Sequence, residues 1–427
     1  MLKKLSVLLL LFVFTIGAVA GCSPAADEPS PDPGNGNDAP AEAVEITWFH
    51  YKDTVVDGFD AIFRGFNDTY PNLSVDQEMI STEYNTVLMT KINAGSTPDL
   101  FVVSPGERAL APYIDEGVIQ DVSGMEIMSR LPASVVDSVR HSDGNIYSIP
   151  FLNTARGVIY NEAIFEQAGV TSVPRTLSEM REAAEKIEAI GVTPFGISGA
   201  DGWSLGSLPW QIAQEHFSTP EWIEDKWAGN ASFADNAEPA FGFLDLMLEF
   251  THDRPMDTDF MEKVTKFATG EVAMIVQGPW ATDMAIDLDP DMAQNAKMMA
   301  MPVSENPADA RLYLDTDMYL VVGADADLDA IDKLLLYIYE GGGRDIFAEQ
   351  VRTINAFGID FDSHATNESI FEYINAGDVI AVFQYNNMPD GFWQANANVM
   401  QEYVLGNVDR AGAMRMLDEE WASMVRD

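Results

Sequence analysis

Two carboxylates stand at strand spacing in Leu314-Asp315-Thr316-Asp317-Met318, inside the alternating stretch from Leu312 to Val322. A period of two puts both side chains on one face of a strand. Such a pair can accept hydrogen bonds from hydroxyls, attract a cationic ligand or hold a metal ion; in so acidic a chain it can equally face solvent. A second constellation, Gly202-Trp203-Ser204-Leu205-Gly206, has the spacing of a nucleophile elbow. That chemistry needs a strand running straight into the serine and a helix running straight out. Gly199-Ala200-Asp201 precedes the motif and Pro209 follows it closely, so no catalysis by Ser204 is expected. His50, His141, His216, His252 and His364 form no HExxH or other local ligand pair, and no metal or other cofactor is expected. A glycan hydrolase needs only two carboxylates, and among 68 Asp+Glu their presence does not discriminate.

The chain holds one cysteine, Cys22, which removes intrachain disulfides and multi-cysteine metal sites. Its surroundings give it another role. Lys3 and Lys4, the apolar run Leu5 to Ile16 and the small residues Gly17 to Gly21 make residues 1–21 a secretory signal, too short in its apolar part to span a bilayer. Val19-Ala20-Gly21-Cys22 resembles the bacterial lipobox, in which the cysteine is lipidated and becomes the first residue after cleavage. Residues 22–43, with Pro24, Pro29, Pro31, Pro33 and Pro40 beside Gly34 and Gly36, cannot bury a core and read as an extended tether. The expected location is therefore the outer face of a bacterial cell membrane, held there by the lipid alone.

What the tether carries is large and acidic. The chain has 427 residues with 24 Lys+Arg against 68 Asp+Glu, a formal charge of −44. That length supplies ample core, and that charge argues against nucleic acid as a partner. It also suits concentrated salt or alkaline surroundings.

The positioning elements begin at Val44. Val44 to Phe49 reads as a strand, Val56, Phe59, Ile62, Phe63 and Phe66 fall at helical spacing, and Leu73 to Val75 opens a second strand. A helix from Tyr84 to Ala94 and a strand from Asp99 to Val103 complete a βαβαβ succession, which predicts a mostly parallel sheet flanked by helices. Ligands bind beyond the carboxyl ends of such strands. That rule selects three loops: His50-Tyr51, Ser81-Thr82-Glu83, and Ser104 to Glu107. The absence of repeats and the βαβ pattern speak against an adhesion protein.

Five segments then carry a family resemblance. Ala94-Gly95-Ser96-Thr97-Pro98-Asp99-Leu100-Phe101, Asp143-Gly144-Asn145-Ile146-Tyr147-Ser148-Ile149-Pro150, Tyr160-Asn161-Glu162 through Gly169, Pro174-Arg175-Thr176-Leu177-Ser178-Glu179, and Phe267-Ala268-Thr269-Gly270-Glu271 through Trp280 follow one another as in the extracellular solute-binding proteins of ABC importers, family 1, which includes maltodextrin-binding proteins. The chain resembles that family from about Val44 onward. The resemblance implies an α/β fold of two lobes with a ligand cleft between them, one lobe of about 44–151 plus 313–350 and the other of about 152–312 plus 351–427. It implies a monomer that closes like a hinge on a carbohydrate, without turnover, and presents it to a membrane permease. Some relatives take non-sugar solutes instead.

A sugar needs flat aromatic platforms for its CH faces and polar groups for its hydroxyl rim. Trp280, after Gly278-Pro279 at the end of an apolar strand, leads the candidates, because the family's matching position stacks on sugar. Trp203, Trp210 and Trp393, beside glycine-rich turns, come next. The polar candidates are His50, Glu83 and Glu107 on the strand-end loops, Asn153 at the interlobe crossing, and the pair Asp315 and Asp317. Arg108 is expected to be a solvated surface group.

Overall fold

The computed structural model describes residues 43–427 apart from 82, 104–106, 213–215, 217–218, 362, 382–387, 390 and 426–427. The signal segment, Cys22 and all of the tether but Ala43 lie outside the described residues. The opening βαβαβ succession forms as its pattern predicts. Strand β1 (Val44–His50) lies between β2 (Leu73–Met79) and β3 (Leu100–Val102), parallel to both. Helix Val56–Thr69 buries Phe59, Ile62, Phe63 and Phe66, one stripe of a 3.6-residue period, against this sheet.

Two long strands then carry the chain out of this layer. β4 (Ile149–Asn161) and β8 (Leu312–Val322) pair antiparallel from Ile149↔Leu320 to Arg156↔Tyr313. Strands β5 (Thr193–Gly196), β6 (Val272–Gln277), β7 (Ala296–Met299) and β9 (Val379–Ala381) assemble around their far ends, with β5 parallel to β6 and β9 parallel to β8. The strand order is β2-β1-β3-β8-β4-β6-β5, with β7 on β4 and β9 on β8. Val158-Ile159-Tyr160, apolar enough to pass for a short strand of its own, is the end of the 13-residue β4. Pro150 sits within β4 where the register against β8 shifts, between Pro150 and Asn153. A bulge is where a strand tolerates a residue without an N–H.

The hydrophobic core is divided along these strands. One cluster gathers Trp48, Phe59, Phe66, Phe101 and Phe151 with Met318 to Val322. Two others lie beyond the crossing, one around Phe195, Phe233, Phe241 and Trp421, the other around Ile159, Phe267 and Ile275. Packing changes sides between Leu152 and Ala155 on β4 and between Tyr313 and Met318 on β8. A third passage runs beside them, with Asn153 N–H bonded to the Ile354 carbonyl at 2.7 Å and Ala356 N–H to that of Phe151 at 3.2 Å. The first core continues past residue 350, through Val351, Ala356 and Ile359. Among the described residues no helix is long and apolar enough to cross a membrane.

Candidate functional site

The carboxyl ends of β1 and β3, the middle of β8 and two helices from beyond the crossing surround a cavity of about 1480 Å³. Tyr51, Glu83, Tyr84 and Tyr113 line it from the first lobe. Arg156, Asp315, Asp317 and Tyr319 form its floor on the crossing strands, and Trp227 and Trp393 face it from the second lobe. Aromatic rings thus stand on both walls, with charged groups between them.

The floor is electrostatically uneven. Asp317 forms an ion pair with Lys52. Burial alone would raise its pKa, but the ammonium more than offsets this and holds the carboxyl below its ordinary range. Asp315 differs. No side chain among the described residues bonds its carboxylate; burial pushes its pKa up to about 7, aided by Asp317 and opposed by Arg156. Two carboxylates on one face therefore differ in charge near neutral pH, so the floor can offer a hydroxyl-rich ligand both an acceptor and a donor. Tyr51 donates its hydroxyl to the Asp317 carbonyl, which ties the end of β1 to β8.

The residues expected from sequence fall in several places. Glu83, Asp315, Asp317 and Trp393 line the cavity. Glu83 holds φ 58° at the N-cap of helix Tyr84–Asn93, a conformation costly to a non-glycine residue. Trp393 opens helix Phe392–Val404 after Gly391, whose φ of 83° demands glycine. His50 is buried behind the wall, where Gln77 Oε1 lies 3.0 Å from its Nε2, and burial lowers its pKa. Asn153 accepts the Thr316 hydroxyl at 2.9 Å, so that Thr316 is what lines the cavity there. Trp280 is half-buried, one layer behind Arg156. Trp203 is 45% exposed and packs edge-on against Phe260 with centroids 4.8 Å apart, away from the cavity lining. Trp210 and Glu107 belong to helices Gly202–Gln211 and Glu107–Asp115, but their side chains, like residues Thr82 and 104–106, lie outside what is described.

Sequence reasoning missed Arg156, Tyr319 and Trp227. Arg156 had a legible signal: it is the one guanidinium in the apolar run of β4, at period two from Thr154, which pairs with Asp315. Trp227 had none, because only the tertiary fold brings its helix, Pro220–Trp227, to the mouth. Arg108, expected to be a solvated surface group, is exposed as expected and also bonds Glu224 across that mouth at 2.9 Å.

The serine motif is sealed. Ser204 and Lys263 are 1% and 2% exposed, with Lys263 Nζ 3.1 Å from the Ser204 hydroxyl and Ser198 2.6 Å away on the other side. Burial lowers the Lys263 pKa to about 7, against the pull of Asp201. A nucleophile and a base are adjacent, but neither lines the cavity. β5 ends at Gly196, so no strand enters the motif directly. Among the described residues no cluster of three His, Cys, Asp or Glu is placed to hold a metal ion.

Comparison with known proteins agrees with this geometry. The profile of the bacterial extracellular solute-binding protein family matches residues 52–340. A multiple sugar-binding protein of Streptococcus mutans is 25% identical over 164 residues, 38% of this chain and 38% of that protein. An uncharacterized ABC transporter extracellular-binding protein of Pyrococcus horikoshii is 24% identical over 289 residues, 65% of each chain. The chain thus spans less than two thirds of the length of both. RafE, a solute-binding protein solved in complex with raffinose, superposes with a TM-score of 0.70 at 20% identity, covering 90% of this chain and all of that one. With the family profile matching well over half of the chain, and a fold shared with two-lobed binding proteins, the chain belongs to the bacterial extracellular solute-binding proteins, family 1.

Proposed function

We propose that this protein captures a carbohydrate in the interlobe cavity and delivers it, chemically unchanged, to the permease of an ABC importer. One observation carries the reading: Tyr51 and Tyr84 on one wall and Trp227 and Trp393 on the other enclose a floor of Asp315, Asp317 and Arg156. Rings on both sides bury the CH faces of a saccharide, and the charged floor meets its hydroxyls. The raffinose bound by RafE and the sugar binding for which the Streptococcus mutans relative is named support the same class. In this reading Trp393, Glu83, Asp315 and Asp317 touch the ligand, and Trp280 acts through Arg156. The protein works as a monomer tethered by a lipid on Cys22, so Cys22→Ser moves it from the membrane to the soluble fraction.

The test is a thermal-shift screen over raffinose, stachyose, xylo- and chito-oligosaccharides, glucose and polyols, followed by calorimetry and chromatography of the mixture. At least one saccharide should bind saturably with a Kd near micromolar, about 8 kcal/mol, and be recovered intact. Recovery of a cleaved glycan, or binding of polyols alone, would overturn the reading.

A further inference from the structure

The geometry points to Arg108 as a latch that crosses the mouth of the cleft and holds the lobes together before any ligand arrives. Arg108 belongs to the first-lobe helix Glu107–Asp115. Its two partners belong to the second-lobe helix Pro220–Trp227. Its guanidinium donates to Glu224 Oε2 at 2.9 Å, and its Cζ lies 4.6 Å from the centre of the Trp227 ring. Glu224 and Trp227 are three residues apart on their helix and so share a face. One planar group therefore engages a carboxylate through its edge and an aromatic ring through its face, a combination a lysine cannot reproduce. The two crossing strands and the passage beside them join the lobes at the hinge; this contact joins them across the cavity, which both Arg108 and Trp227 line.

The second-lobe half of the latch is braced. Lys226, next to Trp227, is 7% exposed and pairs with Asp418 of helix Arg410–Met424, and Asp418 also accepts the Ser232 hydroxyl at 2.6 Å and the Phe233 N–H at 2.9 Å. Trp227 packs edge-on against Trp421 of that same helix with centroids 5.6 Å apart. Arg108 thus closes on a fixed anvil rather than on a loose surface chain.

The two arms respond differently to salt. Arg108 and Glu224 side chains are 46% and 65% exposed, so dissolved ions screen the ion pair once the Debye length falls to about 3 Å at 1 M. The stacking on Trp227 keeps its apolar contact area and survives better. In a chain with 68 Asp+Glu, a cation bridging the lobes also opposes the repulsion of carboxylates across the gap.

The test needs no ligand, so its outcome is separate from the identity of the cargo. Cys22→Ser in the full chain removes the one cysteine, and Glu116→Cys with Asn230→Cys, both exposed, place spin labels on either side of the mouth. Pulsed dipolar spectroscopy at low salt should show a short interlobe distance in this background. Arg108→Ala should shift it to longer values, and Glu224→Gln should shift it part of the way. The exchanged pair Arg108→Glu with Glu224→Arg should recover part of the short population, which a merely structural loss at Arg108 would not do. About 1 M NaCl should move the unmutated latch toward the Glu224→Gln distribution. Coincident distributions for Arg108→Ala and its parent, with thermal melts showing both folded, would overturn the proposal.

Discussion

The guanidinium of Arg156 lies 4.4 Å from the centre of the Trp280 ring. The same ring lies against Gly278, where an added Cβ would come within 2.0 Å of it. The tryptophan is close to both a glycine backbone and an arginine, and it is the arginine that meets the cavity. A flat aromatic surface here orients a cation on the cleft floor.

This stack makes Arg156 and Trp280 act as one unit. Arg156→Ala and Trp280→Ala should each weaken binding of the best saccharide from the screen. The double variant should lose less than the sum of the two, with a coupling of about 0.5–2 kcal/mol. Gly278→Ala should mimic Trp280→Ala by displacing the ring. Calorimetry on the four proteins of the cycle decides it, and strict additivity would remove Trp280 from the site.

The tryptophans separate by position. Trp393→Ala should cost about 1–3 kcal/mol of sugar affinity through lost apolar contact. Trp203→Ala, on the exposed outer surface, should leave the Kd unchanged. Equal losses in the two variants would mean that overall stability, not ring contact, is being measured.

Asp315 gives the protein an acid-side pH dependence. Its pKa is raised to about 7 in the fold, so between its unfolded value of about 3.9 and 7 the native state holds the extra proton. Stability should therefore fall as pH rises through that window. Asp315→Asn should flatten the fall. Chemical denaturation at several pH values measures both slopes, and parallel curves for parent and variant would contradict it.

Lys263 acts in the opposite sense on the alkaline side. Its folded pKa lies near 7 against an ordinary 10.5, so the unfolded chain binds more protons between these values and stability should rise with pH. Lys263→Met should lose this rise while keeping the fold, because the site is already sealed from water. Thermal melts from pH 7 to about 10 test it.

Local pattern was enough to read early elements of both lobes. The stripe of Phe59, Ile62, Phe63 and Phe66 and the cap at Thr176, whose hydroxyl accepts the Glu179 N–H, are decided within a few residues of chain. The carboxylate pair was legible for the same reason, since strand alternation places Asp315 and Asp317 together wherever the strand lies. What Trp280 and Trp227 do was not legible. A ring's neighbour is set by contacts far away in sequence, Arg156 in one case and Arg108 in the other. His50 was misleading in another way: the strand end is at the site, but strand alternation turns its imidazole inward to Gln77.

The crossing between the lobes is a hydrogen-bonded ribbon and not a set of separate strings. β4 and β8 are zipped from Ile149 to Arg156, and the backbone at Ile354 and Ala356 is bonded to the same strand. Such a ribbon resists shear and swivel in its own plane but flexes out of it, most readily where the irregularity at Pro150 to Asn153 interrupts the zip. The two halves consequently share one soft mode, like a leaf spring. Bending at that irregularity changes the width of the same gap that Arg108 spans at the mouth.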